Sequence, residues 1–523
     1  MKQLAIALLL LVQCHLLKAQ GSDLRYEAES CTLNKCEIVS DRKYSGGKAV
    51  KVTDEAASLT LKVNVNARQK YNIYIMAEGI GGEKVVNCSV NGATTAFKTN
   101  TYKEVNVGSF IFMAGTNTLK ITPSWTWFNI DYIRLSPTND NLPFSISTKP
   151  VTPDATEAAQ KLYTFLYENF GKRTLSGIMT GSMDTAGKDI RTHEDPKAVF
   201  TASGHYPALV GFDFSNATGK DVDAGNNWFT DYMRKSIVLA KDLWARGGVP
   251  DFTWHWHDPS RVTGDFYTEK TSFNFTTALK SDGSWNTSST TYKYLIKDID
   301  TVADYFLELQ DEGIACIFRP LHEAPGGWFW WGTQGAAAYV KLYRLIYDEM
   351  VKVKGVRNVL WDWNADYTLD LSWCPGEGYY DIISTDIYNA QYDYSSNYSA
   401  FDKLKALSSG KKLIALAENG PIPDIDKMAD EEAMWSWWMP WYQSWGGNFV
   451  SKTSNAEWQK CMSDPRVLTL DRMPGWSTGS SIEVIENLSP THSTLYDLQG
   501  HRVTKMQSGT ILIGKDRKIL IKE

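Results

Sequence analysis

Eight hydrophobic runs alternate with helical segments beyond Asp154, and this alternation constrains the fold more than any other feature of the chain. Short apolar runs are typical of buried strands, and apolar residues recurring every three or four positions indicate helices. The helical period is clearest in 336–354 and in 292–313, which ends at a glycine. Repeated strand–helix units predict a (β/α)8 TIM barrel over residues 154–480. The predicted strands are 174–181, 208–215, 249–256, 314–323, 358–364, 381–388, 413–420 and 434–441.

Two flavodoxin-like domains are the alternative arrangement of eight strand–helix units. They would need a glycine-rich turn that binds phosphate after a strand, and the sequence has none. The barrel is therefore the predicted fold of this region.

The segments that flank the barrel have a different pattern. Residues 20–136 alternate polar and apolar side chains between closely spaced turns, which predicts an antiparallel β-sandwich. A polar stretch with prolines, 137–153, is predicted to be a linker, and 481–523 is predicted to be a small β segment. The chain is thus predicted to be multidomain.

The N-terminus is typical of an export signal. Lys2 precedes an apolar stretch at 4–12, and Ala19 is a plausible cleavage position, so residues 1–19 are predicted to be a signal peptide and the mature protein to be secreted or held at the cell surface. Gln13 is a poor neighbour for a lipid-modified Cys14, which argues against a lipid anchor. In an exported chain, Cys31 and Cys36 are close enough for a local disulfide, and free thiols are the equal alternative.

Composition excludes some partners. The net charge is −6 and no basic run occurs, which disfavours nucleic acid. The cysteine spacing matches no zinc pattern, and His255 and Glu323 on neighbouring strands have no evident third ligand, so catalysis is predicted to need no cofactor. The chain contains 20 Trp, 26 Tyr and 20 Phe, which suits stacking on sugar rings as well as a large aromatic core.

Two glutamates are the strongest catalytic candidates. Glu323 ends the fourth predicted strand, just before the aromatic loop 328–331, and Glu418 lies near the end of the seventh. Functional groups of a TIM barrel sit at the C-terminal ends of its strands, so both carboxyls should face the same cleft. A protonated carboxyl and an ionised one can together cleave a glycosidic bond. Burial beside the aromatic loop would raise the pKa of Glu323, which favours Glu323 as the acid and Glu418 as the nucleophile.

The segment RPLHEAPGGWFWWG at 319–332 resembles the acid/base signature of family 26 glycoside hydrolases, which are mostly endo-β-1,4-mannanases. The tracts GFDF, WHW, DIY and AEN resemble other strands of that family, and the similarity spans about 162–445. The resemblance implies that Glu323 is the acid/base and Glu418 the nucleophile. It also implies substrate-binding roles for His255, His322, Trp328, Asp386, Tyr388 and Trp441, with Trp438 as a competitor of Trp441 for the sugar at the cleavage point. Tyr442 departs from the basic residue common at its position, which puts the product pattern in doubt.

The N-terminal region resembles carbohydrate-binding modules of families 35 and 6 in YEAE at 26–29, YSGGKAVKV at 44–52 and WFNIDYIRL at 127–135. The resemblance implies a structural calcium held by Glu27, Glu29 and Asp131, and a sugar contact made by Trp125 or Trp127 with Asn129. A spacer sandwich with core tryptophans is the alternative. The segment YDLQGHRV at 496–503 resembles C-terminal sorting modules of the Bacteroidetes type IX system, and a plain β accessory segment is the alternative there.

These observations predict a retaining endo-β-1,4-mannanase that acts on mannan, glucomannan or galactomannan. Two alternatives remain open at the level of sequence. The same mechanism could act on β-1,3-xylan or mixed-linkage β-glucan, or the barrel could bind mannan without cleaving it.

Overall fold

The computed structural model describes residues 22–138, 142–365 and 370–476, together with the strands Ile482–Ile485, Ile511–Ile513 and Lys518–Ile521. The predicted signal peptide and the segment 496–503 lie outside the described residues. One compact unit of the chain ends at Met473 and a second begins at Pro474. No helix among the described residues is long and apolar enough to cross a bilayer.

The N-terminal region is the predicted β-sandwich. One antiparallel sheet has the order β3-β4-β11-β6-β9 with β1 added on β11, and the other has the order β2-β5-β10-β7-β8. The strands are β1 (Leu24–Glu27), β2 (Thr32–Asn34), β3 (Glu37–Ser40), β4 (Lys48–Val52), β5 (Ser58–Val65), β6 (Gln69–Gly79), β7 (Lys84–Val90), β8 (Ala93–Thr99), β9 (Lys103–Phe112), β10 (Gly115–Pro123) and β11 (Phe128–Pro137). Alternate residues of these strands pack between the sheets, as in β5, where Leu59, Leu61 and Val63 are buried.

The barrel strands are parallel and close on themselves. They are β12 (Thr174–Met179), β13 (Leu209–Asp213), β14 (Val249–Trp254), β15 (Cys316–Pro320), β16 (Val359–Asn364), β17 (Ile382–Ile387), β18 (Leu413–Asn419) and β19 (Trp437–Pro440), and β20 (Val467–Leu468) adds to β12 on the outside. β12 pairs with both β13 and β19, which closes the ring and confirms the TIM barrel. All eight predicted runs contain one of these strands.

The helices fall mainly between the barrel strands. They are α1 (Glu157–Asn169), α2 (Glu194–Ser203), α3 (Lys220–Asp223), α4 (Asn227–Ala245), α5 (Thr290–Asp311), α6 (Ala336–Tyr347), α7 (Tyr398–Leu407), α8 (Ile425–Asp430) and α9 (Asn455–Ser463). A π-helical segment, Asp348–Lys354, continues α6, so the helical period found in 336–354 corresponds to two consecutive helices of different pitch.

Gly211 allows large side chains to fill the barrel interior. A Cβ at Gly211 would lie 2.5 Å from the sulfur of Met179 and 2.7 Å from that of Met439. Met439 therefore points inward, and its neighbour Trp438 points outward. Barrel interiors are packed cores, so the cleft lies above this layer, at the C-terminal ends of the strands.

The stretch predicted to be a linker packs against the barrel. The backbone N–H of Ser145 donates to the carbonyl of Gly410, and that of Val151 donates to Asp381 at 2.6 Å. Phe144 packs edge-on against Phe170 with ring centroids 4.9 Å apart. Residues 142–151 are therefore fixed on the barrel surface.

Polar contacts also join the sandwich to the barrel. Lys70 forms a 2.8 Å ion pair with Asp402, and Arg68 lies 3.0 Å from Glu432. Lys403 of α7 donates to Thr95 of β8 at 2.7 Å. The two regions consequently belong to one compact unit.

The six cysteines of the described residues are free thiols, including Cys31 and Cys36. Burial is the main reason that the pKa of Cys31 rises to about 11. Of the two alternatives for Cys31 and Cys36, a disulfide or free thiols, the structure shows free thiols.

Candidate active site

Arg319 is the central cation of the cleft. It lies on β15, is fully buried, and donates from Nη1 to Asp386 at 3.0 Å and from Nη2 to Glu418. A buried guanidinium needs nearby carboxylates to offset its desolvation, and two of them flank it here. The side chain therefore fixes the positions of two acidic groups from two other strands.

The two predicted catalytic glutamates meet in this cleft. One carboxylate oxygen from each of Glu323, Asp386 and Glu418 lies within 4.8 Å of the other two. Glu418 is buried on β18 and accepts a second short hydrogen bond from the hydroxyl of Tyr388. Burial, followed by the neighbouring Glu418, raises the pKa of Tyr388, so its hydroxyl remains a donor to the carboxylate.

Glu323 sits on a strained turn beyond the end of its strand. β15 ends at Pro320, and both Leu321 and Glu323 adopt left-handed backbone conformations with φ values of 53° and 52°. The backbone N–H of Glu323 donates to Asn364 Oδ1 at 3.0 Å, and the side chain accepts from Trp328 Nε1 at 2.9 Å. Non-glycine residues rarely adopt this conformation, and its persistence at a cleft is typical of a functional constraint.

The aromatic loop after Glu323 divides into one accessible ring and three buried ones. Trp328 is half-buried, whereas Phe329, Trp330 and Trp331 pack in the core. Trp331 donates to the carbonyl of His322 at 2.8 Å and Trp330 to that of Trp256 at 2.6 Å. The buried rings therefore anchor the turn that carries Glu323, and Trp328 alone of the four presents a face to a ligand.

Asn364 links the two halves of the site. Its Oδ1 accepts from the backbone of Glu323, and its Nδ2 donates to Asp386 Oδ1 at 2.9 Å. Asn364 and Arg319 thus hold Asp386, which is nearly fully buried and lies beneath the surface of the cleft. The predicted direct contact between Asp386 and substrate is not supported by this burial.

Two histidines form a chain of hydrogen bonds beside the glutamates. His255 Nδ1 lies 2.6 Å from Asp213, His255 Nε2 lies 3.2 Å from His322 Nε2, and His322 Nδ1 lies 3.3 Å from Thr253. Burial alone would lower the pKa of His255, but Asp213 outweighs it and the net direction is upward. Burial, then the charges of His255 and Arg319, lower the pKa of His322.

The geometry allows one continuous chain of donors. His255 can donate from Nδ1 to Asp213 and from Nε2 to His322, and His322 can then donate from Nδ1 to Thr253. His322 is buried, so it orients His255 instead of touching substrate. Both nitrogens of His255 have protein partners, and its ring borders a pocket shared with Trp441 at a centroid distance of 5.9 Å.

Trp438 was predicted to compete with Trp441 for substrate, and the structure shows that this prediction is wrong. The side chain of Trp438 is 0% exposed and packs against Trp458 of α9, with ring centroids 5.7 Å apart. Trp441, just beyond β19, is half-buried and lines a 280 Å³ pocket with His255 and Asp213. Trp441 is therefore the tryptophan of this strand that faces the cleft.

The sandwich has two groups of residues singled out by the sequence. Trp125 is 60% and Trp127 50% exposed, so both rings are accessible to a ligand. Asn129 is buried and donates from Nδ2 to Tyr44 at 2.9 Å and to Glu78 at 2.8 Å. It borders a 480 Å³ hollow with Lys43, Tyr44 and Glu78. The two tryptophans are therefore accessible for the predicted sugar contact, whereas the amide nitrogen of Asn129 is already hydrogen-bonded within the sandwich.

The three predicted calcium ligands surround the turn at Ser45 and Gly46. Ser45 donates from Oγ to Glu27 at 3.0 Å and from its backbone N–H to Asp131 at 3.0 Å, and a Cβ at Gly46 would lie 3.8 Å from Glu29 Oε1. Glu27 Oε2 and Glu29 Oε2 are buried without a hydrogen-bond partner. Buried carboxylate oxygens that lack a donor fit a hard cation.

Neither Arg319 nor Asn364 is assigned a role from the sequence alone. The sequence feature that could have identified Arg319 is a charged residue inside the apolar strand CIFRP, because a buried charge requires partners. Asp251 on β14 gives the same signal and was also missed.

Comparisons with known proteins cover most of the chain. The model of "Glycosyl hydrolase family 26" matches residues 151–472, and that of "Carbohydrate binding module (family 35)" matches residues 24–138. A mannan endo-1,4-beta-mannosidase of Thermothelomyces thermophilus is 31% identical over 471 residues, which cover 86% of this chain and 90% of that protein.

Two solved structures are similar. The Podospora anserina GH26-CBM35 beta-(1,4)-mannanase is 27% identical, with 87% of this chain and 99% of that chain covered and a TM-score of 0.57. A beta-mannanase from a symbiotic protist of the termite Reticulitermes speratus, complexed with gluco-manno-oligosaccharide, is 37% identical, with 64% and 100% covered and a TM-score of 0.57.

Asp251 provides a test of the electrostatics below the cleft. Burial, partly offset by Arg319 and reinforced by Glu418, raises its pKa to about 7 from the usual 3.8. The native state therefore binds one proton more than the unfolded state between about pH 4 and pH 7, so the free energy of unfolding falls as pH rises through that window. We expect Asp251→Asn to reduce the slope of the free energy of unfolding against pH in this window by up to about 1.4 kcal/mol per pH unit.

The measurement is chemical denaturation of both proteins between pH 4 and pH 8, with the surface variant Asp54→Asn as control. An unchanged slope in Asp251→Asn would show that Asp251 is ionised in the native state.

Proposed function

Because the chain belongs to glycosyl hydrolase family 26, we infer that it is a retaining endo-β-1,4-mannanase that cleaves mannan, glucomannan or galactomannan. The observation that carries the mechanism is the proximity of Glu323 and Glu418, whose carboxylate oxygens lie within 4.8 Å of each other. Carboxyl groups about 5–5.5 Å apart suit double displacement, whereas an inverting enzyme needs about 6.5–9.5 Å to admit water.

Glu418 is the proposed nucleophile. Arg319 and Tyr388 donate to its two oxygens, which fixes the orientation of the carboxylate that would attack the anomeric carbon. Attack forms a covalent glycosyl–enzyme bond as the bond to the leaving oxygen breaks. The tyrosine hydroxyl can leave the carboxylate as the covalent bond forms, because the attacking oxygen then loses its charge.

Glu323 is the proposed acid and base. Its turn places the carboxyl beside Trp328, whose indole N–H donates to one carboxylate oxygen. Glu323 gives its proton to the leaving sugar in the first step. In the second step it takes a proton from the water that hydrolyses the intermediate, so both residues return to their starting states.

The sandwich is proposed to bind mannan through its exposed tryptophans. Trp125 and Trp127 offer apolar faces on which sugar rings stack. A calcium ion held by Glu27, Glu29 and Asp131 would add oxygen ligation that fixes the turn at Ser45. The module then raises the local concentration of polymer at the cleft.

Export to the cell surface or medium is proposed from the signal-like residues 1–19, with a lipid anchor disfavoured by Gln13. The similarity of residues 496–503 to type IX sorting modules supports that secretion machinery as a partner. An extracellular enzyme would meet its polymeric substrate directly.

We expect Glu418→Ala to lose at least several orders of magnitude in kcat on mannan, because removing a nucleophile removes the covalent route. Added azide should restore part of the turnover on an aryl β-mannoside and give the α-configured glycosyl azide. The assay includes β-1,3-xylan and lichenan for the unaltered enzyme. Activity near that of the unaltered enzyme in Glu418→Ala would remove Glu418 from the mechanism, and turnover of xylan or lichenan instead of mannan would correct the substrate.

Glu323→Gln should slow cleavage of manno-oligosaccharides far more than cleavage of aryl mannosides with activated leaving groups. The reason is that an activated phenolate departs without a proton, whereas a sugar alkoxide does not. The alkaline limb of the pH–rate profile should disappear in the variant. Comparable losses on both substrate types, or a persistent alkaline limb, would assign the acid role to another group.

Removal of calcium by EDTA should lower the unfolding temperature of the inactive Glu418→Ala chain, because three carboxylates around Ser45 lose their counter-charge. Glu29→Gln should abolish the difference in unfolding temperature between samples with calcium and samples with EDTA.

Trp125→Ala and Trp127→Ala together should reduce retention on insoluble mannan without changing the calcium response. An unfolding temperature that is independent of calcium would reject the metal site, and unaltered retention would reject the tryptophans as the binding face.

A further inference from the structure

A cavity of 730 Å³ lies between the sandwich and the barrel. One of its walls is β8, the edge strand of its sheet, and the other consists of β17 and the first turns of α7. The volume is within the range of about 300–1,000 Å³ that is typical of small-molecule sites. Among the described residues, none of those proposed for catalysis or sugar binding lines this cavity, so it is separate from both proposed sugar sites.

Lys403 of α7 is a half-buried cation in the wall of this cavity. Its Nζ donates to Thr95 Oγ1 of β8 at 2.7 Å, which holds the ammonium group between the sandwich and the barrel. Burial lowers the pKa of Lys403, and no neighbouring carboxylate among the described residues raises it. A partly desolvated ammonium group without a counter-charge is stabilised by an anion that binds beside it.

The other charged residues of the described lining do not offset this charge. Lys98 forms an ion pair with Glu83 at 3.0 Å. Asp370 and Asp393 each accept from a backbone N–H two residues further along their own loops, at 2.9 Å and 3.0 Å. Neither carboxylate contributes to the pKa of Lys403, so the ammonium group remains available to a ligand.

Two buried hydroxyl groups also line the cavity. Ser399 is 4% exposed and Thr385 is 0% exposed, and neither Ser399 Oγ nor Thr385 Oγ1 has a hydrogen-bond partner among the described residues. A buried hydroxyl that makes no hydrogen bond costs free energy, whereas one that donates to a charged oxygen makes a strong bond. Both groups are therefore suited to bind an anionic ligand.

The backbone of α7 favours negative charge at the same place. Ser399 is the second residue of this ten-residue helix, and Lys403 lies one turn further along the same face. The backbone N–H groups in the first turn of a helix lack partners within the helix, and the helix dipole is positive there. The helix terminus, the ammonium group and the two hydroxyls consequently favour the same kind of ligand.

The rest of the lining limits the kind of anion. Val85, Ala96, Ile387 and Ala400 are apolar members of the two walls. A neutral sugar would leave the charge of Lys403 without a partner, and a phosphate dianion would bring more charge than one ammonium group offsets. A carboxylate brings a single charge and two acceptor oxygens, and an apolar body attached to it would contact the alanine and isoleucine side chains.

We propose that the cavity between β8, β17 and α7 binds a small organic carboxylate, whose oxygens accept hydrogen bonds from Lys403, Ser399 and Thr385. Such a ligand would contact the sandwich and the barrel at once, so its binding would stabilise the docked arrangement of the two. The site is independent of the hydrolytic mechanism proposed above, because it uses none of the residues of the cleft.

Isothermal titration of the full chain with benzoate and butyrate tests this site, and benzamide and butyramide are the uncharged counterparts. We expect at least one carboxylate to bind with a Kd below about 1 mM and to raise the unfolding temperature. Its amide should bind about tenfold more weakly or not at all, because the amide lacks the charge that pairs with Lys403. Inorganic phosphate is titrated in parallel and should bind more weakly than the carboxylate.

Lys403→Met should raise the Kd of the carboxylate about tenfold or more, since it removes a charged donor and keeps the length of the side chain. Ser399→Ala and Thr385→Val should each give a smaller increase. Lys405→Met is the matched control, because Lys405 lies on the same helix but its Nζ is over the ring of Phe144, 4.4 Å from the centroid. This control should leave the Kd unchanged.

Several results would overturn the proposal. They are the absence of carboxylate binding, equal binding of the amide or phosphate, and a Kd that Lys403→Met leaves unchanged, which would place the ligand elsewhere. If Lys403→Met does not fold, Ser399→Ala and Thr385→Val decide the question in the same way. Activity on mannan is measured separately, so failure of this site would leave the proposed hydrolytic function intact.

Discussion

A buried guanidinium determines the geometry of the cleft. Arg319 has no solvent exposure, and carboxylates from other strands of the barrel offset its charge. Its two terminal nitrogens hold Asp386 and Glu418, and Asn364 then connects Asp386 to the backbone of Glu323. The positions of both proposed catalytic carboxyls thus depend on one cation, so a displacement of Arg319 would change their separation.

The barrel was predictable because parallel strands are buried on both faces and therefore appear as short continuous apolar runs. The same reasoning located Glu323 and Glu418 at strand ends, where the fold assembles its chemistry. It failed at Trp438, since every side chain of the run WSWWMPW except that of Ser436 is apolar, and the direction of each depends on the pleat. Gly211 on β13, two strands away from β19, leaves room for Met439 inside the barrel, and Trp438 points outward.

Other parts of the site depend on contacts that no local pattern contains. Asp195 meets Ser444 across 249 positions of sequence, and nothing in HEDP at 193–196 distinguishes it from an ordinary helix start. The polar stretch 142–151 has the composition of a linker, yet its backbone donates to Asp381 and Phe144 packs on Phe170. Composition indicates that such a segment can be solvated, whereas the available partners on the barrel decide that it is docked.

The left-handed backbone of Glu323 has a consequence for how the family can vary. A glycine or asparagine would adopt a φ of 52° with less strain than glutamate does, so loss of the acid would relieve a local folding cost. Selection for thermal stability alone would consequently favour inactive descendants at this position. Glu323 is therefore a point at which stability and activity trade against each other.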